Sequence, residues 1–301
     1  MRTRRSALLV IALAVATIVA ANAPQAGAAF PGKNGKIAFA SKRTGHLEIY
    51  TMTATGGTVK MLTNNATPDY SPSFSANGSR ITWVQDAATG DGDIWVMKSD
   101  GTVQTRLTSN LEYDDTPAFA PGGLKIAFTR WFADDAEIMV MSDAGAGVAR
   151  LTNNTTDDSD PVYSPNGSKI AYTCRVASGL YQVCVMNADG TGSVVLPGCE
   201  TDNCVTPDWS PDGTKVVFAR WTSDWVSSAV FSQVVAGGSP VRLTPLGGWV
   251  NYPHYSPTGT KIAYTNGATP AEIYTMNADG SSRTNITNNT GDDWGSDWQP
   301  A

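Results

Sequence analysis

Lys36-Ile37-Ala38-Phe39, Arg80-Ile81-Thr82-Trp83, Lys125-Ile126-Ala127-Phe128, Lys169-Ile170-Ala171-Tyr172, Lys215-Val216-Val217-Phe218 and Lys261-Ile262-Ala263-Tyr264 are six versions of one phrase. Measured between their second residues, the copies stand 44, 45, 44, 46 and 46 residues apart. An interval of ~40–45 residues is the length of one four-stranded propeller blade. The repeat therefore predicts an all-β, six-bladed β-propeller.

The residues around each phrase supply the other three strands. A proline segment with an aromatic precedes it, as in Pro72-Ser73-Phe74, Pro117-Ala118-Phe119, Pro161-Val162-Tyr163, Pro207-Asp208-Trp209 and Pro253-His254-Tyr255. Short length and period-two alternation mark this segment as the innermost strand. A turn follows, written Ser210-Pro211-Asp212-Gly213 in the fifth copy; proline sets φ, Asp tolerates a tight turn and Gly supplies positive φ. The third strand reads Glu48-Ile49-Tyr50-Thr51-Met52 or Asp93-Ile94-Trp95-Val96-Met97, and the outer one ends in Arg106-Leu107-Thr108 or Arg150-Leu151-Thr152. The first copy lacks an inner strand, whereas Asp293-Trp294-Gly295-Ser296-Asp297-Trp298 begins a seventh repeat with nothing after it. Closure of the ring by this C-terminal strand, completing the first blade, removes both exposed edges.

The phrase Ser210-Pro211-Asp212-Gly213-Thr214-Lys215 with its strand, and the later Asn277-Ala278-Asp279-Gly280, resemble the TolB-like family of WD-like propeller repeats. The resemblance covers about Phe30 to Pro300 and implies a protein-interaction platform. The separate N-terminal α/β domain of TolB and the α/β-hydrolase domain of prolyl-oligopeptidase relatives are not found in this sequence. Neither Tol-Pal membership nor peptidase activity is therefore expected to carry over.

Arg2, Arg4 and Arg5, the apolar run Ala7 to Ala21, and Ala26 and Ala28 at signal-peptidase spacing read as a signal peptide over residues 1–28. The expected mature unit is the propeller over 29–301, a monomer in the periplasm or extracellular space, exported by the Sec or twin-arginine route. No further run is long enough to span a membrane. Loss of the three arginines shifts the formal charge from −6 to −9, which argues against nucleic acid as a partner. In an exported chain four cysteines read as disulfides, and strand position favours Cys174 with Cys184 and Cys199 with Cys204. Their spacing is not that of a zinc site.

Two sets of loops share one face of such a disc. In the first, Asp69, Asp114, Asp158 and Asp293 recur three residues before the strand proline or its replacement Ser296. Carboxylates converging at the channel mouth would bind Ca²⁺; the alternative is that each caps its own turn. The second set holds Arg130-Trp131 with Asp134, and Arg220-Trp221 with Trp225, residue types enriched at interaction hot spots. His254, on an inner strand, is a further candidate for the channel wall. No metalloprotease motif or nucleophile elbow occurs, so no catalytic residue is assigned and an enzyme is not expected. The expected function is a protein- or peptide-binding scaffold with no required cofactor. The alternative is a carbohydrate-binding or carbohydrate-active protein that uses loop carboxylates and a divalent cation.

Overall fold

A computed structural model describes residues 31–87, 90–267 and 270–301. Residues 1–28, read from the sequence as a signal peptide, lie outside the described residues. Among the described residues, 24 strands form six four-stranded antiparallel sheets arranged as the blades of a propeller. The inner strands are β4 (Asp69–Phe74), β8 (Tyr113–Phe119), β12 (Asp158–Tyr163), β16 (Asn203–Trp209), β20 (Val250–Tyr255) and β24 (Asp293–Pro300). The first blade has the order β24, β1 (Asn34–Ser41), β2 (Glu48–Thr53), β3 (Lys60–Met61), so the C-terminal strand closes the ring.

The recurring phrase follows from the packing of one blade on the next. Ile37 and Phe39 face the sixth blade, packing with Ala263 and Ile273. Ala38 and Ala40 face the second, against Ile81 and Trp83. The pattern recurs at Ile170 and Tyr172 against Ala127, and at Val216 and Phe218 against Ala171. Alternation along a strand thus sends the large residues backwards and the small ones forwards, and both faces are dry. Each fully buried Ile or Phe contributes about 1.5–3 kcal/mol of burial energy. Because the closing interface uses the same residue classes as the other five, the ring has no weak seam in its composition.

Local chemistry fixes the turns. In the fifth blade Asp212 Oδ1 accepts from Ser210 Oγ at 2.6 Å and from Thr214 N at 3.0 Å, while Lys215 N donates to Ser210 Oγ at 2.9 Å. Gly213 takes φ 69°, a conformation costly for residues with a Cβ. The outer Leu-Thr pair works as a latch: Thr108 Oγ1 accepts from Ile94 N at 2.9 Å, and Thr152 repeats this with Ile138 N at 2.9 Å. Two disulfides, Cys174–Cys184 and Cys199–Cys204, join the pairs expected from the sequence. Among the described residues no helix is long and apolar enough to cross a membrane.

Candidate binding face and channel

Each inner strand carries a β-bulge at the same place, for example between Tyr70 and Ser73, and between Asp115 and Ala118. The bulged residues Ser71, Thr116, Asp160, Thr206 and Tyr252 have φ between 46° and 53°, and Gly295 has φ 47°. Five of the six thus hold a side chain in the left-handed region, a conformation of order 1–3 kcal/mol above the usual wells. All six line a central channel with a cavity of 260 Å³. The bulge re-aims the strand so that the residue before the buried aromatic also faces the channel. That column reads Ser73, Ala118, Val162, Asp208, His254 and Asp297 around the ring.

Acids from four of the six blades stand in or behind the wall. Asp208 Oδ2 accepts from Tyr255 N at 2.8 Å, and Asp297 Oδ2 from Phe74 N at 2.6 Å, so each carboxylate latches its own blade to the next. Burial pushes Asp208 up to about 8 and Asp297 up to about 6, with repulsion between the two adding to the rise at Asp208. Asp115 accepts from Thr116 N at 2.6 Å and is pushed up to about 7 by burial, reinforced by Asp160. Burial also raises Asp160, and it lowers His254 to about 4, keeping that imidazole neutral beside Asp208.

The four carboxylates expected to converge at the mouth stand behind this wall instead. Asp69, Asp114, Asp158 and Asp293 are buried inside their blades, and none lines the channel. Each accepts from the asparagine four residues earlier: Asn65 at 2.6 Å, Asn110 at 2.8 Å, Asn154 at 2.7 Å and Asn289 at 2.6 Å. The Asn side chain also accepts from the backbone two residues on, as at Thr67 N and Glu112 N, closing an Asx turn. Trp83 Nε1 and Gln85 Nε2 further bind Asp69, and Arg130 binds both oxygens of Asp114. This is the turn-capping geometry. Among the described residues no three His, Cys, Asp or Glu side chains group so as to hold a metal ion.

Of the aromatic candidates, Trp131 is 40% exposed and Trp225 47% exposed, whereas Trp221 is buried at 3%. Trp221 is the middle of a run. Trp225 packs on it at 5.9 Å between centroids, Trp249 at 5.6 Å, and Trp294 lies on Trp249 at 4.8 Å. Tyr181 extends the outer end, 6.0 Å from Trp225. The run reaches from an exposed loop tip to Trp294, which lines the channel. The loops of this face also expose Leu111, Val226 and Leu246, and Asp134 is exposed beside Trp131. The arginines are not free anchors: Arg130 is paired with Asp114, and Arg220 with Asp202 at 2.8 Å and the Gly198 carbonyl at 3.1 Å. His254 does line the channel, as its strand position suggested.

Sequence reasoning passed over Asp208, Asp297, Tyr252, Trp249 and Trp294. A signal for two of them was present: Asp208 and Asp297 occupy the column of His254, between the strand proline or Ser296 and a buried aromatic.

The family model for the TolB beta propeller domain matches residues 2–179 and 175–301. The chain belongs to the TolB beta propeller domain family. The Tol-Pal system protein TolB of Francisella tularensis subsp. mediasiatica (strain FSC147) is 33% identical over 85 residues, 28% of this chain and 19% of that protein. The chain thus matches about a fifth of the length of such curated relatives. TolB from Acinetobacter baumannii superposes with a TM-score of 0.80 at 22% identity, covering 90% of this chain and 68% of that one. A putative TolB from Agrobacterium tumefaciens gives a TM-score of 0.68 at 17% identity, covering 89% and 91%. At these identities the two solved structures share the fold of this TolB-type propeller.

Proposed function

We propose that this TolB-type propeller is an exported scaffold that binds a protein or peptide partner through its acidic, aromatic-bearing face. The observation that carries this reading is the run Trp225–Trp221–Trp249–Trp294, which joins an exposed indole to the channel wall. Large exposed apolar side chains grouped on one face mark interaction surfaces, and Trp is enriched among residues that dominate binding energy. The rigid ring means that little ordering cost falls on the scaffold side of the complex. Two disulfides fit an oxidising compartment outside the cytoplasm.

The test compares wild-type mature chain with Trp225→Ala in affinity capture from the envelope and secreted fractions of the source cells. Trp225 is exposed, so the variant is expected to keep its melting temperature. A protein partner retained by wild type and lost by Trp225→Ala supports the reading. Retention of glycan alone, saturable and lost in EDTA, would move the assignment to the carbohydrate class.

A further inference from the structure

The channel differs in chemistry from the aromatic face above it. Asp160, Asp208 and Asp297 line it, Asp115 stands behind Ser71 and Thr116, and no Lys or Arg is among its lining residues. The remaining wall mixes apolar residues, Pro72, Pro117, Val162 and Trp294 among them, with hydroxyls such as those of Ser71, Thr116 and Thr206. A second observation is independent of the acids. Ser296, 1% exposed, lines the same cavity, and its Oγ has no hydrogen-bond partner.

We propose that the channel seats a single cationic side chain, lysine or arginine, presented by an extended segment of the partner. The identity of the carrier rests on the scaffold function proposed above; the cation preference of the channel does not. Its cavity of 260 Å³ lies below the ~300–1,000 Å³ usual for whole small-molecule sites and suits one side chain. Proline, valine and indole side chains in the wall match a methylene stem, and the carboxylates among them match its charged head. A hard metal ion needs several oxygens at one point, whereas these carboxylates belong to different blades and two are engaged by backbone N–H groups. Ser296 Oγ, sealed in this wall without a partner, would accept from an ammonium or guanidinium once its side chain turned toward the channel.

Protonation supports the same assignment. At the mouth, Tyr70 and Tyr113 both donate to Asp86, whose carboxyl burial raises, and Asp115 lies near them. Deeper in the wall stand Asp160 on β12, Asp208 on β16, Tyr252 and His254 on β20, and Asp297 on β24. With His254 neutral, nothing titratable in this wall supplies a positive charge near pH 7. The raised carboxyls therefore retain protons in the empty channel, and an arriving cation favours their ionised form. Seating the cation releases protons.

The probe is a short Gly/Ser peptide with one central lysine, compared with its norleucine counterpart by calorimetric titration into the mature chain. At pH 8 the lysine peptide is expected to bind at least about tenfold tighter, as for a desolvated charge-assisted contact. The preference should shrink at pH 5.5, and the heat at pH 7 should vary with the buffer's ionisation enthalpy as protons leave. An Asp208→Asn, Asp297→Asn double variant, with melting confirming its fold, should lose the preference, because amides keep the backbone acceptors but carry no charge. Equal affinity for the two peptides, binding of neither, or a lysine preference surviving the double variant would overturn the proposal. So would stoichiometric Ca²⁺ binding in the channel that the lysine peptide does not displace. Trp225→Ala should leave the preference intact, so failure of the channel site and failure of the face reading give different results.

Discussion

Arg130 and Arg220 occupy the same repeat position and differ in what they hold. Arg130 binds both oxygens of a fully buried Asp114, at 2.6 and 2.9 Å. Arg220 binds Asp202, which is about a quarter exposed. Removing one partner of a buried pair leaves an uncompensated charge and costs about 3–5 kcal/mol, whereas a solvated pair is worth about 0–1 kcal/mol. Arg130→Ala is therefore expected to lower the unfolding free energy several-fold more than Arg220→Ala, measured by urea denaturation of both variants. Equal losses would show that Asp114 is stabilised by Asn110 alone. Both arginines read from sequence as partner anchors; their engagement by acids 16 and 18 residues away in the chain depends on strand pairing that no local pattern records.

At the scale of the element, strand order was largely legible. The turns, the Lys-Ile-Ala-Phe phrase and the Leu-Thr latch are each written within a few residues. The inner strands were read only in part, because a bulge changes which side chains face the channel without changing the proline and aromatic that mark the strand. Asp69 and Tyr70 are neighbours, yet Tyr70 lines the channel and Asp69 is sealed behind it. The closing strand β24 pairs with β1 from Asn34↔Pro300 to Ser41↔Asp293, and its Trp298 packs in the core of the first blade. Deleting residues 290–301 should expose β1 as an edge and strip that core. Loss of a single cooperative transition is expected by calorimetry, and an unchanged melting temperature would refute the closure.

For the whole molecule, the ring concentrates acids that are dilute along the chain. Asp115, Asp208 and Asp297 have folded values of about 7, 8 and 6, above the ordinary carboxyl value of 3.8. The folded state thus binds more protons than the unfolded one between these limits, and stability falls as pH rises through that window. His254 acts in the opposite sense, since its value falls from 6.5 to about 4, but only below pH 6.5. The melting temperature is therefore expected to drop between pH 6.5 and 8.5, with a smaller drop in Asp208→Asn. A flat profile over that range would mean that the channel carboxylates ionise freely.

The sequence by itself determined the number of blades, the four strands in each, the turn chemistry and the closing strand; it favoured the cysteine pairs, which the structure fixes. These depend on periodicity and on contacts between strands that are neighbours in a repeat. The tertiary structure alone decided which acids face the channel, which arginines are already occupied, and that Trp294 meets Trp249 and Trp221 across blades. Those facts arise where six inner strands converge, and a side chain's surroundings there are set by blades up to half the ring away.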